Sequence, residues 1–152
     1  MGHGKRLQAS ESALILVADA DRKAARDLAG YFSIQGFQAS HTSRGEEVLR
    51  FAHSGGLGLA IVDASLLDMS GHALASRLKE IDPEIPVLMT SGDYHPELEI
   101  RARQAGILYY SHKPADYRLL KAVVTKLLSD GGSMNSVFDA GHRNSPEQTL
   151  RQ

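Results

Sequence analysis

The chain has 152 residues, with 42% hydrophobic and 23% charged side chains and a formal net charge of −1. A chain of this length can form one domain that buries about two-thirds of its unfolded surface, and the near-neutral charge gives no electrostatic reason to bind nucleic acid or an anionic membrane. Cysteine is absent, which excludes disulfides, thiolate metal sites and a cysteine nucleophile.

Short apolar segments alternate with amphipathic segments along the first third of the chain. Residues 13–18 (ALILVA) predict a strand, and residues 22–35 predict a helix because their apolar positions recur at helical spacing. Gly36 is expected to end this helix, since glycine adopts the left-handed conformation that terminates helices. Residues 37–41 predict a weaker second strand, and Ser43 is the expected N-cap of the helix that follows.

The same alternation continues to the end of the predicted domain. Residues 57–62 are an apolar run typical of a strand buried on both faces, and the run ends at Asp63. Two further strands are predicted over residues 86–91 and 107–111, and three further helices over residues 71–81, 96–105 and 116–128. Five strands that alternate with five helices over short connections predict an α/β fold with a doubly wound parallel sheet.

Both flanks of the predicted domain, which spans residues 13–129, are polar. Residues 130–152 are rich in Gly, Ser and Asn and predict a flexible C-terminal tail, and residues 1–12 predict a flexible N-terminal segment. These first residues lack the apolar core of a signal peptide, and no apolar run approaches the ~18 residues of a membrane span. We therefore expect a cytoplasmic protein with no membrane partner.

Polar residues close four of the five predicted strands. Asp19 follows the first strand, Asp63 follows the third, Ser91 closes the fourth and Lys113 follows the fifth. Because the carboxyl ends of parallel strands share one edge, where ligands bind in open α/β sheets, these side chains are expected to converge on one pocket. Asp21 precedes the first helix and is expected to cap it.

Four segments resemble the receiver domains of bacterial two-component response regulators. These segments are ILVADADRKAAR, IVDASLLDMSG, PVLMTSG and AGILYYSHKP, and the resemblance runs from about Leu14 to Leu128. It implies a flavodoxin-like topology and a single-domain signalling protein that accepts a phosphoryl group. It also implies that the protein is not a classical enzyme.

By this resemblance, Asp63 looks like the phosphoacceptor and Lys113 like the invariant lysine of the family. Asp19, Asp63 and the backbone carbonyl of Ser65 look like the ligands of a magnesium ion, a cation that prefers oxygen ligands. A carboxylate that attacks a phosphorylated donor meets anionic repulsion, so a site of this kind needs a cation and an ammonium group to offset the charge.

Ser91 looks like the conserved hydroxyl of the family and Tyr110 like its switch aromatic. The resemblance implies that Ser91 turns towards the new phosphoryl group, that Tyr110 then rotates inward, and that the surface of the fourth helix, fifth strand and fifth helix changes. The implied partners are a histidine kinase or phosphotransferase and a downstream target protein, without direct contact to nucleic acid. A homodimer through the same surface is compatible with this pattern.

Three residues depart from the family pattern. Ala20 replaces the second of two adjacent acids, which is usually a direct metal ligand, and Asp21 is the nearest carboxylate that could replace it. Leu67 replaces the usual proline four residues after Asp63, and Ala115 replaces the common aromatic after the Lys113-Pro114 pair.

Two alternative functions stay open at this level. A degenerate receiver would bind partners without being phosphorylated, because Ala20 weakens the metal site. A phosphatase of the haloacid dehalogenase type is the other alternative, since ILVADADR also resembles the Asp-x-Asp motif of those enzymes, with Asp19 as nucleophile and Asp21 as general acid. That function would leave Asp63 without a role.

Overall fold

A computed structural model describes residues 13–129, within which strands and helices alternate along the chain. The strands are β1 (Leu14–Ala18), β2 (Gln38–Thr42), β3 (Leu57–Asp63), β4 (Val87–Ser91) and β5 (Tyr109–His112). The helices are α1 (Arg22–Ile34), α2 (Gly45–His53), α3 (Gly71–Ile81), α4 (Pro96–Gln104) and α5 (Tyr117–Ser129). The predicted flexible segments, residues 1–12 and 130–152, lie outside the described residues.

The five strands form one parallel sheet in the order β2-β1-β3-β4-β5. The predicted α/β class and doubly wound sheet are confirmed. Strand order reverses between β1 and β3, which lie side by side, so their carboxyl ends border the crevice at which ligands bind in this architecture. No helix within residues 13–129 is long and apolar enough to cross a membrane.

Helices cover both faces of the sheet and produce two apolar layers. In β1, Leu16 and Ala18 pack in the layer that contains buried residues of α2, α3 and α4, whereas Ile15 and Val17 pack in the layer that contains those of α1 and α5. Because both faces of a strand are buried, its sequence is continuously apolar instead of alternating. This burial explains the apolar runs in β1, β3 and β4.

The two predicted helix caps have different outcomes. Asp21 caps α1 as predicted, since its side chain accepts hydrogen bonds from the N–H groups of Lys23 and Ala24. The prediction that Ser43 caps α2 is wrong, because the cap position belongs to Arg44, whose side chain makes no capping bond. The carboxylate of Asp68, on the loop between β3 and α3, binds the first N–H groups of α2 instead.

Two strands lie later in the sequence than predicted. β2 begins at Gln38, because the N–H of Phe37 still donates to the carbonyl of Phe32 at the end of α1. β5 begins at Tyr109, two residues after the buried side chain of Ile107. An apolar side chain reports burial, and the residues just before a strand can be buried without pairing in the sheet.

Candidate functional site

Three of the predicted site residues meet at the carboxyl edge of the sheet. Asp19 follows β1, Asp63 ends β3 and Lys113 follows β5. The Lys113 Nζ lies 2.5 Å from Asp19 Oδ2 and 2.8 Å from Asp63 Oδ1. Both carboxylates are buried, and the single ammonium group leaves one negative charge of the pair without a counterion.

Asp63 has two further hydrogen-bond donors. The hydroxyl of Thr90 donates to Oδ1 at 3.2 Å, and the N–H of Ser65 donates to Oδ2 at 3.0 Å. The role of Thr90 did not follow from the sequence. The register of the sheet would have indicated it, because β3 and β4 pair Asp63 directly with Thr90.

The surroundings of Asp19 and Lys113 shift their pKa values in the same direction. Burial raises the pKa of Asp19 above its usual 3.8, and the hydrogen bond from Lys113 offsets only part of this effect. Burial acts to lower the pKa of Lys113, but hydrogen bonds to Asp19 and Asp63 outweigh it and raise the pKa above 10.5. Lys113 is therefore a permanent cation at neutral pH.

The oxygen atoms at this edge can hold a divalent cation. An ionised carboxylate offers about four acceptor positions, and both Asp19 and Asp63 keep at least one after their bonds to Lys113, Thr90 and the backbone are made. Within residues 13–129, no cluster of three His, Cys, Asp or Glu side chains forms a metal site. The third protein ligand would have to be a backbone oxygen, and a set of oxygen ligands suits Mg²⁺.

The backbone carbonyl of Ser65 is the predicted third ligand. It accepts a long hydrogen bond of 3.4 Å from the N–H of Ala20, the residue after Asp19, and a carbonyl has a second lone pair. Asp21 uses its Oδ1 to cap α1, and its own N–H donates to Asp19 Oδ1 at 2.9 Å. A metal-binding role for Asp21 stays a prediction.

Ser91 and Tyr110, the two predicted switch residues, are both buried. The Oγ of Ser91, which is buried, accepts a hydrogen bond of 3.0 Å from the N–H of Asp93. The side chain of Tyr110 is already buried, and its hydroxyl has no hydrogen-bond partner among residues 13–129. The predicted inward rotation of Tyr110 on phosphorylation stays a prediction.

Tyr94, in the loop before α4, contacts His112 of β5. The sequence did not indicate this contact. The ring of Tyr94 stacks on His112, with 4.2 Å between ring centres and 6° between ring planes. The hydroxyl of Tyr94 also donates to the backbone carbonyl of Lys113 at 2.7 Å. No spacing rule could have paired these residues, because the contact depends on the path of an irregular loop.

A cleft of about 560 Å³ opens beside the carboxylates, and Asp19, Lys113 and Ala115 line it together with residues of α1. Ala115, one of the three departures from the family pattern, thus lies in the wall of this cleft.

Comparisons with known proteins find similar sequences and similar folds. Residues 15–125 match the model of the response regulator receiver domain family. The transcriptional regulatory protein ZraR of Escherichia coli K12 is 27% identical over 122 residues, which are 80% of this chain and 28% of that protein. The chain thus spans about a quarter of the length of this relative.

Solved structures show the same fold. A CheY-like receiver domain of Methanospirillum hungatei has a TM-score of 0.73 at 23% identity, over 78% of this chain and 95% of the other. A response regulator of Burkholderia pseudomallei, determined with a phosphorylated aspartic acid, a calcium ion and citrate, has a TM-score of 0.68 at 24% identity, over 78% of this chain and 69% of the other.

Proposed function

Because this chain belongs to the receiver domains of two-component response regulators, we propose that Asp63 accepts the phosphoryl group through which it signals. The observation that carries the proposal is the Lys113 ammonium, which contacts both Asp63 and Asp19 at the carboxyl edge. The receiver domain itself is proposed to span residues 13–129. Receiver domains are signalling domains and not classical enzymes.

In the proposed reaction, an oxygen of Asp63 attacks the phosphorus of a phosphohistidine. The new O–P bond forms as the N–P bond breaks, and the imidazole leaves with the electron pair of that bond and takes up a proton. Lys113 stabilises negative charge on the phosphoryl oxygens, since a preorganised cation in a buried site is worth more than one in water. The hydrogen bonds from Thr90 and Ser65 orient the attacking carboxylate.

Receiver domains generally use Mg²⁺, and we propose that this chain holds it with Asp19, Asp63 and the carbonyl of Ser65. When bound, the cation would supply the positive charge that the carboxylates and the phosphoryl oxygens share. The phosphorylated aspartic acid and calcium ion of the B. pseudomallei structure support the pairing of a phosphoaspartate with a divalent cation in this fold.

The proposed partners follow from the family. Receiver domains interact with histidine kinases and downstream effectors, and we propose a histidine kinase or phosphotransferase as the donor for this chain. Ser91 and Tyr110 are proposed to transmit the change to the surface of α4, β5 and α5, where a target protein or a second copy would bind. We further propose that the protein acts in the cytoplasm.

The alternatives are not favoured. The family match runs from residue 15 to residue 125, which leaves no part of the domain for a haloacid dehalogenase-type phosphatase. A degenerate receiver would need a site unable to accept a phosphoryl group, and the contact between Lys113 Nζ and Asp63 Oδ1 supports a competent site instead.

Labelling with acetyl phosphate and Mg²⁺, followed by intact-mass measurement, tests the proposal. We expect a labile adduct of one phosphoryl group in the wild type and in Asp93→Asn, which removes an exposed acid outside the site. Asp63→Asn should carry no adduct, because the amide oxygen is a poor nucleophile. An adduct of equal yield in Asp63→Asn would show that another residue is the phosphoacceptor.

A further inference from the structure

The loop between β3 and α3 is attached to the beginning of α2. The N–H of Leu67 donates to the carbonyl of Ser43 at 3.0 Å. The carboxylate of Asp68 accepts two hydrogen bonds, one on each oxygen: from the N–H of Gly45 at 2.7 Å and from the N–H of Glu46 at 3.0 Å. Three hydrogen bonds thus connect two segments that are more than 20 residues apart in sequence.

Asp68 replaces a cap that α2 lacks. The first N–H groups of a helix have no partner within the helix, and Arg44, at the cap position of α2, provides no side-chain bond. A carboxylate at this end also interacts favourably with the helix dipole. Burial acts to raise the pKa of Asp68, but the N–H groups of Gly45 and Glu46 outweigh it and hold the pKa below 3.8, so the group stays ionised at neutral pH.

Side-chain packing strengthens the same attachment. A Cβ at Gly45 would lie 2.6 Å from the sulfur of Met69, so the side chain of Met69 fills the space that a larger residue at position 45 would need. Met69 in turn packs on the apolar layer beneath α2 and α3. Leu67 contributes an N–H that the proline usual at this position could not donate.

The attached loop is the one that carries Ser65. The N–H of Leu66 donates to the carbonyl of Met69 at 3.1 Å, and the N–H of Gly71 donates to the carbonyl of Ala64 at 2.8 Å, so the turn is closed on itself. A compact turn held at one end by Asp68 fixes the orientation of the peptide groups at the other end. Ser65 lies at that end, and its N–H donates a hydrogen bond to Asp63 Oδ2.

We propose that Asp68 is a positioning residue for the phosphorylation site: by holding the β3–α3 loop on the start of α2, it keeps the carbonyl of Ser65 beside Ala20, where it would bind Mg²⁺ together with Asp19 and Asp63. The proposal rests on the proposed function of Asp63. It also makes α2 a part of the phosphorylation apparatus, because any partner that moves the start of α2 moves the loop.

Three variants of the full chain test this. Asp68→Ala removes both hydrogen bonds, Asp68→Asn keeps only one acceptor oxygen and so at most one of the two bonds, and Ser70→Ala removes a side-chain cap of another helix from the same loop. The Ser70 hydroxyl receives the N–H of Ala73 on α3 and does not contact α2. Each protein is titrated with Mg²⁺ and followed by amide chemical shifts, and the hydrogen exchange of the Leu66, Leu67 and Gly71 amides is measured without phosphorylation.

We expect Asp68→Ala to weaken Mg²⁺ binding about tenfold, as is usual when a group that orients a ligand is lost, and to accelerate exchange in the loop. Asp68→Asn should have an intermediate effect of about threefold, because its single oxygen can keep only one of the two hydrogen bonds, and Ser70→Ala should stay within about twofold of the wild type, because the Ser70 cap belongs to another helix. Equal effects of Asp68→Ala and Ser70→Ala would overturn the proposal by showing only a loss of stability. If Asp68→Ala does not fold, Asp68→Ser replaces it under the same criteria, since its shorter side chain cannot reach α2.

Failure of the proposed function has a different signature. A wild-type protein without a phosphoryl adduct would refute the role of Asp63, whereas the exchange of the loop amides and the Mg²⁺ titration judge Asp68 without any phosphoryl transfer.

Discussion

At the scale of single residues, the site consists of one ammonium group, on Lys113, and the two carboxylates that it contacts. Its ammonium contacts two buried carboxylates and can neutralise only one of them. The remaining negative charge attracts a cation. The side chain at position 20 determines whether a further carboxylate is available as a ligand. The N–H of Ala20 donates to the Ser65 carbonyl, so the side chain at this position begins beside a proposed metal ligand.

We expect Ala20→Asp to bind Mg²⁺ roughly tenfold more tightly, or by about 1.4 kcal/mol, because it adds a direct carboxylate ligand. Without Mg²⁺ the same variant should be less stable than the wild type, since the new charge lies near Asp19 and Asp63. Thermal melts with and without Mg²⁺ measure both effects.

Ala20→Asn is the matched control, with the same shape but no charge, and it should show little of either effect. If Ala20→Asp leaves the affinity unchanged while Asp21→Ala abolishes binding, Asp21 is the ligand and its role exceeds that of a helix cap.

Which site residues could be predicted depended on how directly the strands place them. Asp19, Asp63 and Lys113 follow strand ends, and the parallel sheet alone brings such residues together. Asp68 and Tyr94 could not be predicted, because they act across loops whose paths depend on backbone hydrogen bonds and on tertiary packing. Their sequence neighbours carry no periodic pattern from which those paths could be read.

At the scale of elements, a carboxylate and an imidazole form a contact at the start of α4. Asp93 accepts hydrogen bonds on Oδ1 from both the N–H of His95 at 3.0 Å and its ring Nδ1 at 2.5 Å. The hydrogen bond and the charge of Asp93 raise the pKa of His95 above 6.5, and the same hydrogen bond lowers the pKa of Asp93 below 3.8. His95 is the N-cap residue of α4, and its side chain makes no capping bond.

We expect the ring of His95 to titrate with a midpoint above 6.5 and the midpoint to fall in Asp93→Asn. Because the folded-state pKa of His95 is raised, the stabilisation by this pair is complete below pH 6.5 and is lost as the pH rises through that higher pKa. NMR titration of the His95 ring in both proteins measures the difference. An unchanged His95 midpoint in Asp93→Asn would refute the pairing in solution.

At the scale of the whole molecule, the site and the α4–β5–α5 surface share one loop. The Oγ of Ser91 accepts a hydrogen bond from the N–H of Asp93. Tyr94, the residue after Asp93, donates from its hydroxyl to the carbonyl of Lys113. If the Ser91 hydroxyl turns to a phosphoryl group, the N–H of Asp93 loses its acceptor. The change then passes into the loop that precedes α4.

We expect beryllofluoride with Mg²⁺, a mimic of the phosphoryl group, to shift amide resonances between Ser91 and Tyr117 more than those of β2 at the opposite edge of the sheet. In Ser91→Ala the shifts around Asp63 should persist, while those beyond residue 92 should shrink, because the hydroxyl that connects the two is gone. Shifts confined to the neighbourhood of Asp63 in the wild type would indicate a phosphoryl carrier without a conformational switch.

The ion pair between Asp19 and Lys113 joins residues 94 positions apart, and this separation has a consequence for the making of the protein. Chains emerge from the ribosome with the N-terminal part first, so both buried carboxylates are synthesised long before the lysine that neutralises them. Until β5 adds to the edge of the sheet, the nascent chain would have to bury two like charges without a counterion, which is unfavourable. The complete cluster of charges can therefore form only after the chain has been synthesised past Lys113.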